Sequence, residues 1–242
     1  MVWLARLGAA CAVALPLAGA AHEDLGARGR IVWLTYGSAG ASLSRDVVAA
    51  MGTACEARGG CDFELDTDKK RNWIPRLPEW IQIFDTSAST GIRKPAGLEA
   101  LGPSFCRRPG WKIVLGHRPV YSSGFSGASL ALAARDDGRL QECGVHVYVS
   151  GGDRHQEHLT AGTFEAVVQG AASGYRGVDQ IQFKPGDPVK QRFARSQRGF
   201  SIFESTREKI ELRFYNENAT EIYKWSAAPD QIGLPKFVPT GP

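Results

Sequence analysis

His117 lies in Gly116-His117-Arg118-Pro119-Val120-Tyr121-Ser122, directly after the apolar run Trp111–Leu115. A second loop, Ser150-Gly151-Gly152-Asp153-Arg154-His155-Gln156-Glu157-His158-Leu159, follows the run 145–149. A third, Gly37-Ser38-Ala39-Gly40, follows the run 31–36. Imidazoles and carboxylates on such loops can ligate divalent metals. Arg118 and Arg154 carry the planar donors that grip phosphate oxygens in pairs. Ser38 could serve as a nucleophile, yet no base accompanies it, and Gly-Ser-Ala-Gly is an ordinary turn sequence. His155 and His158 form a His-x-x-His pair. No helix lies beneath them to set both rings on one face, so they read as surface histidines.

Strands must position these loops. The run 31–36 is continuously apolar, which predicts a buried strand. A helix over 44–58 follows, with Ser44 as its cap and Val47, Val48, Met51, Ala54 and Cys55 on one face; Gly59-Gly60 ends it. A strand over 61–65 completes a βαβ unit. Strands over 80–85, 111–115 and 145–150, with a helix over 127–142 weakened at Gly138, give a second unit. Beyond Thr163, strands over 164–169, 200–205, 209–215 and 221–225 are expected to be mainly antiparallel. Ile210, Leu212 and Phe214 alternate with Glu211 and Arg213 there. Segment 171–198, rich in Gly, Lys and Arg, reads as a long loop, and 226–242 as an irregular tail. The fold class is α/β with a mixed sheet core. In such folds ligands sit beyond the carboxyl ends of the strands, which is where the three loops fall.

The 242 residues suffice for one sizeable core. A net charge of +4, with no Lys/Arg block, gives no case for nucleic acid. It suits small anionic substrates weakly. Residues 1–20 read as a secretory signal: Arg6, an apolar stretch from Leu7 to Leu17, then Ala18-Gly19-Ala20. That stretch is shorter than the roughly 20 apolar residues a spanning helix needs. Residues 21–225 would be the folded domain, exported to the periplasm or outside the cell, with no membrane partner expected. The sequence sets no oligomeric state. Cys55, Cys61, Cys106 and Cys143 allow three pairings. Cys55–Cys61 and Cys106–Cys143 are favoured because each would tie a helix end or loop to the start of a strand; four free thiols is the alternative. Asn218-Ala219-Thr220 is a glycosylation sequon, with meaning only in a eukaryotic secretory route.

The His117 loop and the 150–159 loop resemble two signature loops of the calcineurin-like metallophosphoesterases, in the purple-acid-phosphatase branch. In that family they read roughly Gly-His-His/Tyr-Pro-Val-Tyr-Ser and Ser-Gly-His-Asp-His-x-x-Glu-His. The resemblance continues through Ile81-Gln-Ile-Phe-Asp85-Thr86, Val167-Val-Gln-Gly-Ala171 and Gly199-Phe-Ser-Ile-Phe203. It implies an α/β/β/α sandwich, metal-assisted hydrolysis of phosphate esters, and a dinuclear Fe-, Zn- or Mn-type centre with ions about 3.5–4 Å apart. Carried over residue by residue, His117 is the one retained metal ligand. The family's first aspartate is Ser38, and its paired histidines are Gly152 and Arg154. Asp153 matches a residue that supports the ligands. The family's Gly-Asp-Asn and Gly-Asn-His loops are absent, and 66–75 resembles its later Arg-Trp-x-Met-Pro stretch. An internal segment is therefore missing, which should remove a core strand and open the sheet.

One imidazole cannot hold two metals. Other ligands would have to come from Asp66, Asp68, Asp85, Asp153 or His155. The reading is an exported, catalytically impaired relative with no cofactor. Its ligand, if any, would be a phosphate-bearing small molecule held by Arg118 and Arg154 with the Gly151-Gly152 amides and Ser38; for Arg154 the alternative is that it is a neutral replacement pairing with Asp153 or with solvent. The alternative is an acid phosphatase with a rebuilt site. A weaker third reading is an interaction module using the 171–198 segment.

Overall fold

The computed structural model describes residues 24–37, 42–68, 72–86, 98–124, 137–177 and 189–232. Ser38, the signal segment 1–20 and residues 127–136 of the expected second helix lie outside these residues.

β1 (Arg30–Tyr36) is apolar because it is buried on both faces. Trp33 points between two sheets, its ring stacked on Phe203 at 4.1 Å between centroids. Val32, Leu34 and Tyr36 point the other way and pack with α1 (Arg45–Glu56). That helix buries Val47, Ala50, Met51 and Ala54, one face at helical spacing. Ser44 does stand at the N-cap, but its hydroxyl makes no capping bond, contrary to expectation. Gly59 and Gly60, at φ +79° and +102°, end the helix, and the Gly60 amide donates to the Cys55 carbonyl at 2.9 Å. β2 (Phe63–Asp66) then pairs parallel to β1, with Phe63 opposite Trp33, which completes the first βαβ unit.

β3 (Ile81–Asp85), α2 (Pro103–Cys106), β4 (Trp111–Leu115), α3 (Gly138–Glu142) and β5 (Val147–Ser150) follow. β3, β4 and β5 are parallel, as the second unit required. The remaining strands are β6 (Gln156–Ala161), β7 (Phe164–Gln169), β8 (Val189–Arg195), β9 (Gly199–Thr206), β10 (Ile210–Asn216) and β11 (Glu221–Ala227). One sheet has the order β11–β10–β9–β1–β2, the other β3–β4–β5–β7–β6–β8. Their facing sides share one core, in which Trp33, Leu65, Trp111, Ile113, Val149 and Phe203 meet. α1 covers the outer face of the first sheet. α2 and α3 cover that of the second through Phe105 and Leu140. The layers are α/β/β/α.

Both favoured disulfides are present. Cys55–Cys61 joins the end of α1 to the approach to β2, with Cα atoms 5.1 Å apart. Cys106–Cys143 joins the ends of α2 and α3, with Cα atoms 4.4 Å apart.

Three local readings need correction. The expected loop 150–159 turns into β6 at Gln156, so His158 is a strand residue. The expected long loop 171–198 contains β8, the edge of the second sheet. The tail is not irregular at its start: β11 reaches Ala227, and a 3-10 turn spans Pro229–Gln231. The strands after Thr163 are mainly antiparallel, as expected, with β7 also pairing parallel to β5.

The missing internal segment leaves a visible mark. β2 is the edge of one sheet and β3 the edge of the other, joined directly along the chain. Beside β3 lies a cleft of about 1450 Å³, lined by Ile74, Leu77, Trp80, Ile83, Phe84 and Phe105 among others. Among the described residues no strand pairs with the outer side of β3.

Candidate functional site

Parallel strands β1, β2, β4 and β5 end at the same place, so their following loops converge. The carbonyl of His117 accepts the amides of Gly151, at 3.2 Å, and Gly152, at 2.7 Å. Two of the expected site loops are thereby joined through backbone. The third joins through Gly37, whose carbonyl accepts the Ala172 amide at 3.0 Å.

Thr67 occupies the centre of this junction, fully buried. Its hydroxyl lies 3.2 Å from the carbonyl oxygens of both Tyr36 and Gln169. A Cβ on Gly151 would lie 1.9 Å from that hydroxyl, and one on Gly37 would lie 2.5 Å from it. These glycines are required by close approach. A Cβ on Gly170 would meet the Gly151 carbonyl at 1.8 Å, so this wall is also backbone against backbone. Nothing in the sequence singled out Thr67; the adjacent Asp66 and Asp68 drew attention instead.

His117 places its ring at the surface, with the side chain 54% exposed and Nδ1 2.9 Å from Oδ1 of Asp68, whose side chain is 5% exposed. The hydrogen bond that His117 donates to Asp68 raises the His117 pKa above its ordinary value, against the opposing effect of burial. Arg118 is exposed, and its carbonyl accepts the Tyr148 hydroxyl at 2.7 Å. Arg154 is half-buried and holds the left-handed backbone at φ +48°, a conformation that few non-glycine residues adopt. Its carbonyl accepts the Arg176 amide at 2.9 Å. Asp153 is 1% exposed, and its carboxylate accepts from Ser122. The two arginines flank the loop junction. The glycine amides expected to help them are already taken by His117.

The other carboxylates serve the scaffold. Asn72 donates to Asp85 Oδ2 from its backbone and from its side chain, each at 2.9 Å. Its Oδ1 accepts the Asp66 amide at 2.7 Å. Asn72 therefore ties the end of β2 to the end of β3, across two different sheets. An Asp66 carboxylate oxygen accepts the Asp68 amide at 2.9 Å.

His155 and His158 are not surface histidines: both are 0% exposed. They leave β6 and its approach on opposite faces, because side chains alternate along a strand. His155 Nε2 lies 2.9 Å from Glu157, and its Nδ1 lies 2.9 Å from the Asp153 carbonyl. Glu157 also accepts from the Ser123 amide at 3.0 Å and from Gln191 at 2.7 Å. Burial opposes protonation of His155, but the hydrogen bond and charge of Glu157 prevail and its pKa is raised. His158 faces inward, 2.8 Å from the Tyr223 hydroxyl and 2.9 Å from Glu165. There burial prevails over Glu165, and its pKa is lowered. A strand with so little apolar alternation carried no ordinary signal, which is why the network was missed.

Among the described residues, no group of three or more His, Cys, Asp or Glu is arranged to hold a metal ion. Asp66 and Asp85 are engaged with backbone amides and Asn72, Asp153 with Ser122, and His155 with Glu157. These residues do not fit a dinuclear centre.

No protein-family model matches the chain. Over 173 residues, 69% of its length, it is 24% identical to purple acid phosphatase 4 of Arabidopsis thaliana. It spans 46% of the length of that curated relative. The structure is similar to GAP50, the anchor in the inner membrane complex of Plasmodium, with a TM-score of 0.62 and 16% identity over 83% of this chain and 89% of that one. It is also similar to a purple acid phosphatase from yellow lupin (Lupinus luteus) seeds, with a TM-score of 0.56 and 10% identity over 84% of this chain and 54% of that one. The layered sandwich, the convergence of its loops and the likeness to these proteins place the chain in the metallophosphoesterase-like fold.

Proposed function

We propose that this chain is an exported, catalytically impaired relative of the purple acid phosphatases, which keeps the scaffold without the dinuclear chemistry. One observation carries the reading: apart from the His117–Asp68 pair, the candidate ligands around the loop junction are spent on the fold, while Thr67 fills its centre. The function left to such a scaffold is binding. The likeness to GAP50, an anchor, supports a scaffolding role. The two disulfides support export, since such bonds persist in oxidising compartments. A phosphate-bearing small molecule is the ligand class that Arg118 and Arg154 suit, through charge and paired donors alone.

The deciding experiment is metal analysis of the purified protein alongside hydrolysis of an aryl phosphate. The expected result is no stoichiometric metal and no turnover above that of a His117→Ala variant. Stoichiometric metal with His117-dependent turnover would establish an active acid phosphatase instead. Calorimetric titration with inorganic phosphate addresses the ligand. Equal binding by wild type and Arg154→Ala, or none by either, removes the anion reading.

A further inference from the structure

We propose that Asn218 is the acceptor of an N-linked glycan, carried at the tip of the β10–β11 hairpin. The chain contains three asparagines, Asn72, Asn216 and Asn218, and only Asn218 is followed at the second position by Ser or Thr, namely Thr220. The hairpin presents that sequon outward. Asn216 Oδ1 accepts the amides of Asn218, at 2.9 Å, and Thr220, at 3.0 Å. The Asn216 carbonyl accepts the Ala219 amide at 3.2 Å, and Ala219 takes the left-handed backbone at φ +59°. Asn216 thus uses its own side chain to hold the turn. Asn218 and Thr220 remain exposed, and among the described residues the side-chain amide of Asn218 has no hydrogen-bond partner.

The chemistry is a group transfer. Nδ2 of Asn218 forms a bond to the anomeric carbon of a lipid-linked oligosaccharide and loses a proton. The lipid diphosphate leaves with the electrons of the broken C–O bond. Nothing is oxidised or reduced. The donor and its transferase belong to the lumen of the eukaryotic secretory route, an oxidising compartment of the kind in which disulfides form. The inference therefore rests on the export reading above.

The glycan would have a defined place. β9 runs antiparallel to β1, and β10 antiparallel to β9, with Asn216 opposite Gly199. The hairpin tip therefore lies at the same end of the sandwich as the loop junction. It stands two strands to the side of β1, about 10 Å at the usual strand spacing. A sugar there flanks the approach to His117 for macromolecules and leaves it open to small ions. It also stands at the start of β11, the edge of its sheet, where bulk discourages pairing with another chain.

The test uses the full chain with its own N-terminus, expressed in cultured eukaryotic cells. Intact mass is measured before and after an amidase that releases N-glycans, for wild type, Asn218→Gln, Thr220→Ala and Thr220→Ser. Wild type and Thr220→Ser are expected to lose the mass of one oligosaccharide, with the conversion mapped to the Asn218 peptide. Asn218→Gln and Thr220→Ala should show no change. Peptide mapping of the wild type alone decides the matter if a variant fails to fold. Protein recovered from the medium with both disulfides closed and Asn218 bare would overturn the glycan and leave export standing. Protein retained in the cytosol with reduced cysteines and no glycan would overturn both.

Discussion

The Gly152 amide donates to the His117 carbonyl at 2.7 Å, so the loop after β4 and the loop after β5 are locked together by backbone. A Cβ added to Gly152 would lie 3.0 Å from that carbonyl and 3.7 Å from Nε2 of His117. A side chain at 152 would therefore grow beside the His117 imidazole. Replacing Ser38→Asp, Gly152→His and Arg154→His together should still give no turnover of an aryl phosphate. Asp66 and Asp85 remain engaged between β2 and β3, and no second set of ligands is supplied there. Turnover in that triple variant, measured with metal added, would show that the missing segment has been misplaced.

Thr67 and Gly151 are coupled by contact. Thr67→Val keeps the shape and removes the hydroxyl between the Tyr36 and Gln169 carbonyls, at a cost of about 1–2 kcal/mol. Gly151→Ala would put a methyl group 1.9 Å from the Thr67 hydroxyl and should cost more, about 3 kcal/mol or above. Adding Thr67→Ala to Gly151→Ala should recover part of that loss, because the Thr67 Cβ remains 2.7 Å away. Urea midpoints of wild type, Thr67→Ala, Gly151→Ala and the double variant test this, and strict additivity would contradict it.

His146 sets a limit on acid stability. Its Nδ1 accepts the Lys112 amide at 3.1 Å and therefore carries no proton. Burial, with the Lys112 charge, pulls its pKa down to about 4. A depressed imidazole favours the neutral form in the folded state. Its contribution is complete above the unfolded value near 6.5 and is lost as pH falls toward 4. The loss should amount to about 3 kcal/mol. His146→Asn keeps an acceptor without titrating, so its stability should fall less steeply over that window. Identical acid limbs in the two proteins would argue against the assignment. His155 acts in the opposite sense: its raised pKa gives a contribution that is full at low pH and declines as pH rises through the folded value.

The two disulfides should contribute unequally. Cys55 and Cys61 are 6 residues apart, Cys106 and Cys143 37 apart. On the chain-entropy account the first closes a loop worth about 2 kcal/mol and the second about 4 kcal/mol. Paired Cys→Ala variants, compared by thermal unfolding, should show the larger drop in Tm for Cys106 and Cys143. A reversed order would mean that native-state packing, rather than the unfolded chain, sets their value.

The strands and layers were legible because burial writes itself into composition. Runs such as Ile31 to Tyr36 are apolar throughout, and Ile210, Leu212 and Phe214 alternate with polar neighbours. Both cysteine pairs followed from the same element boundaries. The 150–159 region was not legible beyond its first half. Gln156, Glu157 and His158 are buried polar residues bonded to partners far along the chain, among them Phe200, Tyr215, Gln191 and Tyr223. Periodicity detects apolar faces and cannot see such a strand. Thr67 was hidden for a related reason: its role is fixed by the glycines opposite, which lie 84 and more residues away or in a neighbouring turn. Ser38 lies outside the described residues, so its part in the junction stays an expectation of the sequence.

The pairing of β1 with β9 also governs when the molecule can complete itself. The hydroxyls of Thr35 and Ser201 are bonded across a separation of 166 residues. At about 5–20 residues per second, the ribosome needs roughly ten to thirty seconds to supply the second partner after the first. Throughout that interval Trp33 has no Phe203 to cover it. The N-terminal βαβ unit must wait half-made, and the fold can close only after nearly the whole chain has emerged.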